Sequence, residues 1–344
     1  MKHRVWIAAN QGEVGGGEVM LHHIATALRE LGRDVAVVAP AHPAEAADRL
    51  AADGFDVVRV GGPGRLAYMR ALRAWDRGRG GDDVAWCNGL LPATALAGRA
   101  RRIVHLHQVP EKPLLRVFSA LARPGALAVL APSRFAADRI RGARVLPNWV
   151  PAPAVPARTA AEPGAPLRVG FLGRLSEDKG IVTFLRATQS LRAAAPGRFA
   201  FSVAGEARFV KDRERRAVEE AFRLAGPTVE RLGWQDTAAF LGSIDVLAVP
   251  SQWAEVFGLV AAEAMAAGVP VVVSDAGALP EVVGPDHPLT FRAGDDRALA
   301  HALQTAARAD LTAIAAAQHA RWQDLFSPEA GRAHVAALLD DLGI

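Results

Sequence analysis

The chain has 344 residues, 51% of them hydrophobic and 22% charged. That is too long for one ordinary core and fits roughly two domains of about 150 residues, each able to bury its own interior. The same composition excludes a disordered, collagen-like or coiled-coil chain. The net charge of +4 is unevenly spread: residues 1–165 carry 22 basic and 14 acidic side chains, and residues 166–344 carry 18 and 22. The first half therefore presents a positive field to an anionic partner or a membrane surface. Nucleic acid is not expected, because the arginines are scattered over many helices without a recognition motif or interleaved aromatics. No apolar run reaches the length of a membrane span free of charge or proline. Behind Met1-Lys2-His3-Arg4 the apolar stretch 5–9 is too short for a signal core and reads as a first strand. The one cysteine, Cys87, can form neither an internal disulfide nor a zinc site alone. The expected location is cytoplasmic, either free or peripheral to a membrane.

In chain order, short apolar runs alternate with helical periods. Strands are expected at 5–9, 35–39, 57–60, 84–87, 103–106, 128–131 and 144–146, with helices at 19–31, 44–52, 66–75, 92–98, 114–121 and 134–141. Strands apolar on both faces and separated by helices mean βαβ units and a parallel sheet. Residues 151–166, PAPAVPARTAAEPGAP, lack apolar periodicity and read as a linker. The alternation then restarts, with strands at 167–172, 201–204, 229–232, 246–249 and 271–274 and helices at 181–194, 213–224, 237–241 and 259–267. Three helices, at 297–308, 311–325 and 328–342, close the chain. The fold class is α/β, with two doubly wound parallel-sheet domains. Such sheets bind ligands at the carboxyl ends of their strands.

Four constellations carry chemistry. Gly15-Gly16-Gly17 lies between the first strand and the first helix, where backbone N–H groups and a helix N-terminus suit a phosphate. A plain strand–helix turn reads equally well, and the spacing of Gly12, Gly15 and Gly17 does not fit the dinucleotide fingerprint. The second is the turn 173–180, GRLSEDKG, which follows a strand and opens a helix. Arg174 can bind phosphate oxygens bidentately and Lys179 is a compact point charge. Together they suit a diphosphate and the charge that grows as it leaves. The alternative is a pair of solvated cations.

The third is PSQWAEVFGLVAAEAMAAGVPVVV at 250–273. Glu255 precedes a helix opening near Phe257 or Gly258, and Glu263 lies on its second turn. Gly268 ends that helix and Pro270 prevents its continuation. The N–H groups of Phe257, Gly258 and Leu259 are then free for ligand oxygens, and the two carboxylates can accept from hydroxyls at two ends of a polyol. A core glutamate bonded to local backbone is the alternative for Glu263. The fourth is His105-Leu106-His107 at the end of a strand, where alternation puts both imidazoles on one face. His107 suits a hydrogen bond to substrate. His105 reads as a satisfied structural histidine, and His22 and His23 as packing.

These residues resemble the retaining GT-B glycosyltransferases of family 4. The resemblance runs over nearly the whole chain and rests on the glycine-rich first loop, His107, Ala131-Pro132-Ser133, Pro147-Asn148, the 173–180 turn, and Glu255 and Glu263 with Phe257-Gly258-Leu259. It implies two Rossmann-like domains facing a cleft: an acceptor domain at 1–150, a linker at 151–166, a donor domain at 167–326, and a last helix at 327–344 that crosses back to the first domain. It also implies roles. Arg174 and Lys179 bind the donor diphosphate, Glu263 accepts from the ribose, and Glu255 with the backbone of Phe257 to Leu259 holds the transferred sugar. Gly16 and Gly17 lie near the phosphates, and His107 near the reacting bond.

The implied reaction moves a sugar from a nucleoside-diphosphate sugar, UDP ahead of GDP, to a small-molecule, glycan or lipid-linked acceptor hydroxyl. Peripheral membrane contact through the basic first domain is compatible with it, and helix 66–75 with its arginines is one place for it. No cofactor is expected. No Asp-x-Asp sequence occurs, so no metal is expected either. Pro147-Asn148-Trp149-Val150-Pro151 departs from the family's usual Pro-Asn-Gly-Val-Asp type sequence. An epimerase or phosphorylase of related fold and a non-catalytic sugar-nucleotide binder are the alternatives.

Overall fold

The computed structural model describes residues 3–155, 164–207 and 210–344. Most of the expected linker, 156–163, lies outside the described residues, as do Met1 and Lys2. The chain divides into two units, Met1–Trp149 with Pro328–Ile344, and Val150–Ser327.

The first unit runs β1 (Arg4–Ala9), α1 (Gly16–Glu30), β2 (Asp34–Pro40), α2 (Glu45–Ala52), β3 (Asp56–Val60), α3 (Arg65–Trp75), β4 (Val84–Asn88), α4 (Leu90–Ala95), β5 (Arg102–His105), α5 (Pro113–Ala122), β6 (Ala128–Ala131), α6 (Arg134–Ala137) and β7 (Ala143–Val145). Its seven strands are all parallel, in the order β3-β2-β1-β4-β5-β6-β7. Strand β4 is buried at every position, as a strand covered by helices on both faces requires. The order reverses between β1 and β4, and the carboxyl ends of these two strands frame the natural binding crevice.

The second unit runs β8 (Leu167–Leu172), α7 (Ile181–Ala194), β9 (Phe199–Ala204), α8 (Asp212–Ala225), β10 (Val229–Gly233), α9 (Thr237–Ser243), β11 (Val246–Val249), α10 (Leu259–Ala266), β12 (Val271–Ser274), α11 (Leu279–Val283), β13 (Thr290–Phe291), α12 (Asp296–Ala306) and α13 (Leu311–Leu325). Its six parallel strands are ordered β10-β9-β8-β11-β12-β13, with the reversal between β8 and β11. Val150 belongs to this unit: its N–H donates to Phe326 O at 3.0 Å, and Trp322 Nε1 donates to its carbonyl at 3.1 Å.

Helix α14 (Pro328–Leu342) completes the first unit, packed on α1. Its ion pairs, Arg332 with Glu30 at 2.7 Å and Arg144 with Asp341 at 2.6 Å, are exposed and worth about 1 kcal/mol at most. The hold comes from Val335, Leu338 and Leu339, all buried, at about 1.5–3 kcal/mol each. Gly331 permits the approach, since a Cβ there would lie 2.2 Å from the Trp149 ring. Trp149 is itself covered by His23, whose Nδ1 bonds its carbonyl at 2.9 Å. Burial, ahead of any charge, lowers the His23 pKa to about 4. His22 bonds Asp53 at 2.8 Å.

Several elements differ from the sequence reading. Helix α1 begins at Gly16 instead of 19, because the glycines take the helix start and Glu18 sits in its first turn. Helix α6 ends at Ala137 instead of 141, and the chain turns through Gly142 at φ 74°. The five-residue α11 and the two-residue β13 are too short to produce a period. No helix among the described residues is long and apolar enough to cross a membrane.

Candidate functional site

In the second unit the site grows from the reversal point between β8 and β11. After β8, Gly173 takes φ 148° and the chain presents Arg174. The guanidinium donates to Ser176 Oγ at 3.1 Å and to Asp178 at 2.5 Å. Burial alone would raise the Asp178 carboxyl; the Ser176 bond and the charges of Arg174 and Lys179 hold it below its usual value. The turn closes at Gly180, in the left-handed region at φ 76°, where a Cβ would lie 1.7 Å from Pro250 O. Only glycine lets the β8 turn press this closely on the end of β11. The N–H groups of Gln252 and Trp253 then reach Asp178 O at 2.9 and 3.2 Å.

That contact brings Lys179 to Glu255. Lys179 Nζ donates to Glu255 Oε1, and Ser251 Oγ donates to the same oxygen at 2.8 Å. Glu255 is anchored through its backbone, since Ala278 N donates to its carbonyl at 2.7 Å. Gly277 makes room there, as a Cβ would fall 2.2 Å from that carbonyl. Arg174, Lys179 and Glu255 thus gather at one turn. Neither cation is saturated: an ammonium has three donors and a guanidinium five.

Helix α10 starts beside this cluster in the chain. Gly258 caps it at φ 96°, tight against Leu279. Phe257 is buried edge-on to Phe326 at 5.2 Å, so it can offer a ligand only its backbone. The N–H groups of Leu259 and Val260 have no acceptor within the helix, whereas those of Ala261 and Ala262 donate to Gly258 O. On the second turn, the Glu263 carboxyl finds no hydrogen-bond partner among the described residues, and burial raises its pKa to about 7. It is therefore not a core glutamate bonded to local backbone. Trp234, after β10, and Trp253, after β11, are exposed at the same edge of the sheet. Gln235 and Asp236 are spent on local backbone, at Leu232 O and Ala239 N.

The first unit has its own cluster at the ends of β4 and β5. Asn88 Nδ2 donates to Gly17 O at 2.8 Å, which leaves its Oδ1 to accept from His107 Nε2 at 2.8 Å. This network assigns the proton of His107 to Nε2, and burial lowers the ring pKa to about 4. The His105 ring lies 4.1 Å from that of His107, centre to centre. His105 is not a satisfied histidine: both ring nitrogens are buried without a partner among the described residues, and its pKa is pushed well below the usual range, first by burial. Gly16 and Gly17 open α1, and a Cβ on Gly17 would touch His107 at 3.6 Å.

Three contributors escape sequence reasoning. Asn88 and Ser251 are ordinary polar residues in a strand end and a loop. Glu18, buried in the first turn of α1, has a pKa raised to about 7 by burial against the lowering effect of backbone bonds. An acid three residues after the helix cap was the one available signal. Among the described residues, no group of three His, Cys, Asp or Glu side chains could hold a metal ion.

Two family models match the chain. "Glycosyltransferase Family 4" matches residues 14–152, and "Glycosyl transferases group 1" matches residues 166–308. Among curated relatives, a mannosyltransferase of Mycolicibacterium hassiacum, named MMP alpha-(1->4)-mannosyltransferase, is 54% identical over 59 residues, 17% of this chain and 14% of that one. A glycogen synthase of Mycobacterium tuberculosis is 34% identical over 122 residues, 34% of this chain and 28% of that one. The chain thus spans less than a third of the length of these relatives. Solved structures match throughout. HepE of Anabaena, crystallised with UDP and glucose, has a TM-score of 0.80 at 22% identity, with 98% of this chain and 99% of that one covered. Sucrose-phosphate synthase of Thermosynechococcus elongatus has a TM-score of 0.79 at 21% identity, with 99% of each covered. Two parallel α/β sheets in this topology and two family matches that together span most of its length place the chain in the GT-B fold, and it belongs to the group 1, family 4 glycosyltransferases.

Proposed function

We propose that the protein transfers a sugar, with retention, from a nucleoside-diphosphate sugar to an acceptor hydroxyl, and that the second unit binds the donor. The observation that carries this is the convergence of Arg174, Lys179 and Glu255 at the β8–β11 reversal point, beside a helix whose first two N–H groups have no acceptor within it and whose Glu263 carboxyl has no hydrogen-bond partner among the described residues. In this reading the unused donors of Arg174 and Lys179 take the diphosphate oxygens. Glu255, held by Lys179 and Ser251, accepts from a sugar hydroxyl, and Glu263 from the ribose. The N–H groups of Phe257, Gly258 and Leu259 complete the sugar site. His107 serves near the reacting bond, with Gly16 and Gly17 near the phosphates.

As the glycosidic bond to the diphosphate breaks, negative charge grows on the leaving oxygen, where both cations stabilise it more than they do the ground state. The acceptor hydroxyl attacks from the face the diphosphate leaves, and a departing phosphate oxygen takes its proton. UDP is the favoured nucleotide, supported by the UDP bound to HepE. Acceptors of small-molecule, glycan or lipid-linked kind all suit the reaction.

A thermal-shift panel with UDP, GDP, ADP, TDP and NAD, with and without EDTA, tests this, since a ligand of the folded state raises its melting temperature. The expected result is a shift with one nucleoside diphosphate, unchanged by EDTA and lost in Arg174→Ala. A shift with NAD alone overturns the reading.

A further inference from the structure

Helix α5 turns its apolar stripe the wrong way for a soluble helix. Ser119 and Ala122 are its buried positions, whereas Leu114, Val117 and Leu121 are 62%, 53% and 59% exposed. Spacings of three and four put these three on one face. Other exposed large apolar side chains of this unit, Leu66 and Val145, stand singly, which is ordinary; a stripe is not. Lys112 and Arg116, four apart, lie along one border of the stripe, exposed and without an ion pair among the described residues. The surrounding segment 99–144 holds ten Lys and Arg against two acids, Glu111 and Asp138. Its excess of eight positive charges equals that of the whole first half. The arginine-rich α3 is a poorer candidate: Tyr68 and Leu72 are buried, and Arg73 is spent on the carbonyls of Ala95 and Ala97.

We propose that α5 docks the first unit on an anionic lipid bilayer. Leu114, Val117 and Leu121 enter the boundary between headgroups and acyl chains, and Lys112 and Arg116 meet the lipid phosphates. An apolar face bordered by cations is the pattern of a helix lying in a membrane interface. The charge argues against a second copy as the occupant, because two such patches repel. The stripe is also narrow beside the roughly 800 Å² per partner of a stable protein interface. The inference stands apart from the transferase reading.

The test is co-sedimentation of the full chain with vesicles of phosphatidylcholine alone and of phosphatidylcholine with phosphatidylglycerol. Binding is expected only to the mixed vesicles, and it weakens as salt rises. Replacing Lys112 and Arg116 by Gln lowers affinity about fivefold each, the equivalent of about 1 kcal/mol per basic residue at an anionic surface. Leu114→Ser, Val117→Ser and Leu121→Ser together abolish binding with every charge kept, while the melting temperature and any nucleotide shift stay as in the parent. Three results overturn the proposal: no binding by the parent, a triple variant that binds as well, or a parent dimer that the triple variant dissolves on light scattering. The assay contains no nucleotide. A chain that binds vesicles but shows no nucleotide shift retains this inference and loses the transferase reading.

Discussion

Asn88 accepts a hydrogen bond from His107 Nε2 at 2.8 Å while its amide nitrogen holds Gly17 O at the same distance. One side chain at the end of β4 therefore couples the start of α1 to the histidine after β5 and decides which nitrogen carries the proton. Asn88→Ala leaves both partners unpaired in a buried place, at a cost of about 1–3 kcal/mol each at most. The melting temperature should fall by several degrees. Nitrogen-15 spectra of the histidine rings should show loss of the Nε2–H form of His107. An unchanged spectrum would mean that something other than Asn88 sets the tautomer.

Arg174 and Lys179 are part-exposed, and their loss leaves the sheet intact. Arg174→Ala and Lys179→Ala should each lower kcat by about 10²–10³, the range for removing one donor to a developing charge. Melting temperatures without ligand should move little, because such pairs contribute at most about 1 kcal/mol. Steady-state kinetics and a melt of each variant check this. A large drop in stability with kcat intact would make the two cations structural.

Glu263 makes stability depend on pH in a definable direction. Its carboxyl is raised from the usual 4.5 to about 7 in the fold. The native state therefore binds the proton more tightly than the unfolded chain. Its favourable contribution is complete below about pH 4.5 and is lost as pH rises through 7, on the order of 3 kcal/mol in all. Glu263→Gln should match the parent at pH 5 and melt higher than it at pH 8. Parallel profiles across that range would remove Glu263 as the cause.

Gly180 and Gly197 both hold positive φ, at 76° and 74°, but only Gly180 faces a backbone oxygen. Gly197→Ala should cost about 1 kcal/mol, the left-handed penalty alone. Gly180→Ala adds a clash with Pro250 O that no side-chain motion relieves. Several kcal/mol of stability should go, together with nucleotide binding, because the turn carrying Lys179 is pushed off β11. Denaturant melts of the two variants side by side separate strain from contact.

Much of the scaffold was legible in the sequence because the central strands are apolar runs covered on both faces, as β4, β11 and β12 are at every position. The runs at 128–131, 167–172, 246–249 and 271–274 are strands with those very limits. Helix ends were less legible where backbone conformation decides them, as at Gly15 and Gly142. Of the site, the cations and the two glutamates stood out because charged groups are conspicuous in apolar surroundings. Asn88 and Ser251 did not, since nothing local distinguishes a polar residue that bonds a neighbour 19 positions away or four.

By itself the sequence determined the alternation of strand and helix, the doubly wound class, and the placing of Arg174, Lys179 and Glu255 in the loops after strands and of Glu263 on the second turn of a helix. Those follow from periodicity and turn chemistry, which act over a few residues. Only the tertiary structure decided that Lys179 and Glu255, 76 residues apart, share a bond, that Glu263 has no hydrogen-bond partner among the described residues, that His107 is held by Asn88, and that the stripe on α5 faces solvent. Each depends on which strands become neighbours at the reversal points and on which helix faces find cover. Those pairings are long-range packing choices, made among many segments at once, and no local window of the chain encodes them.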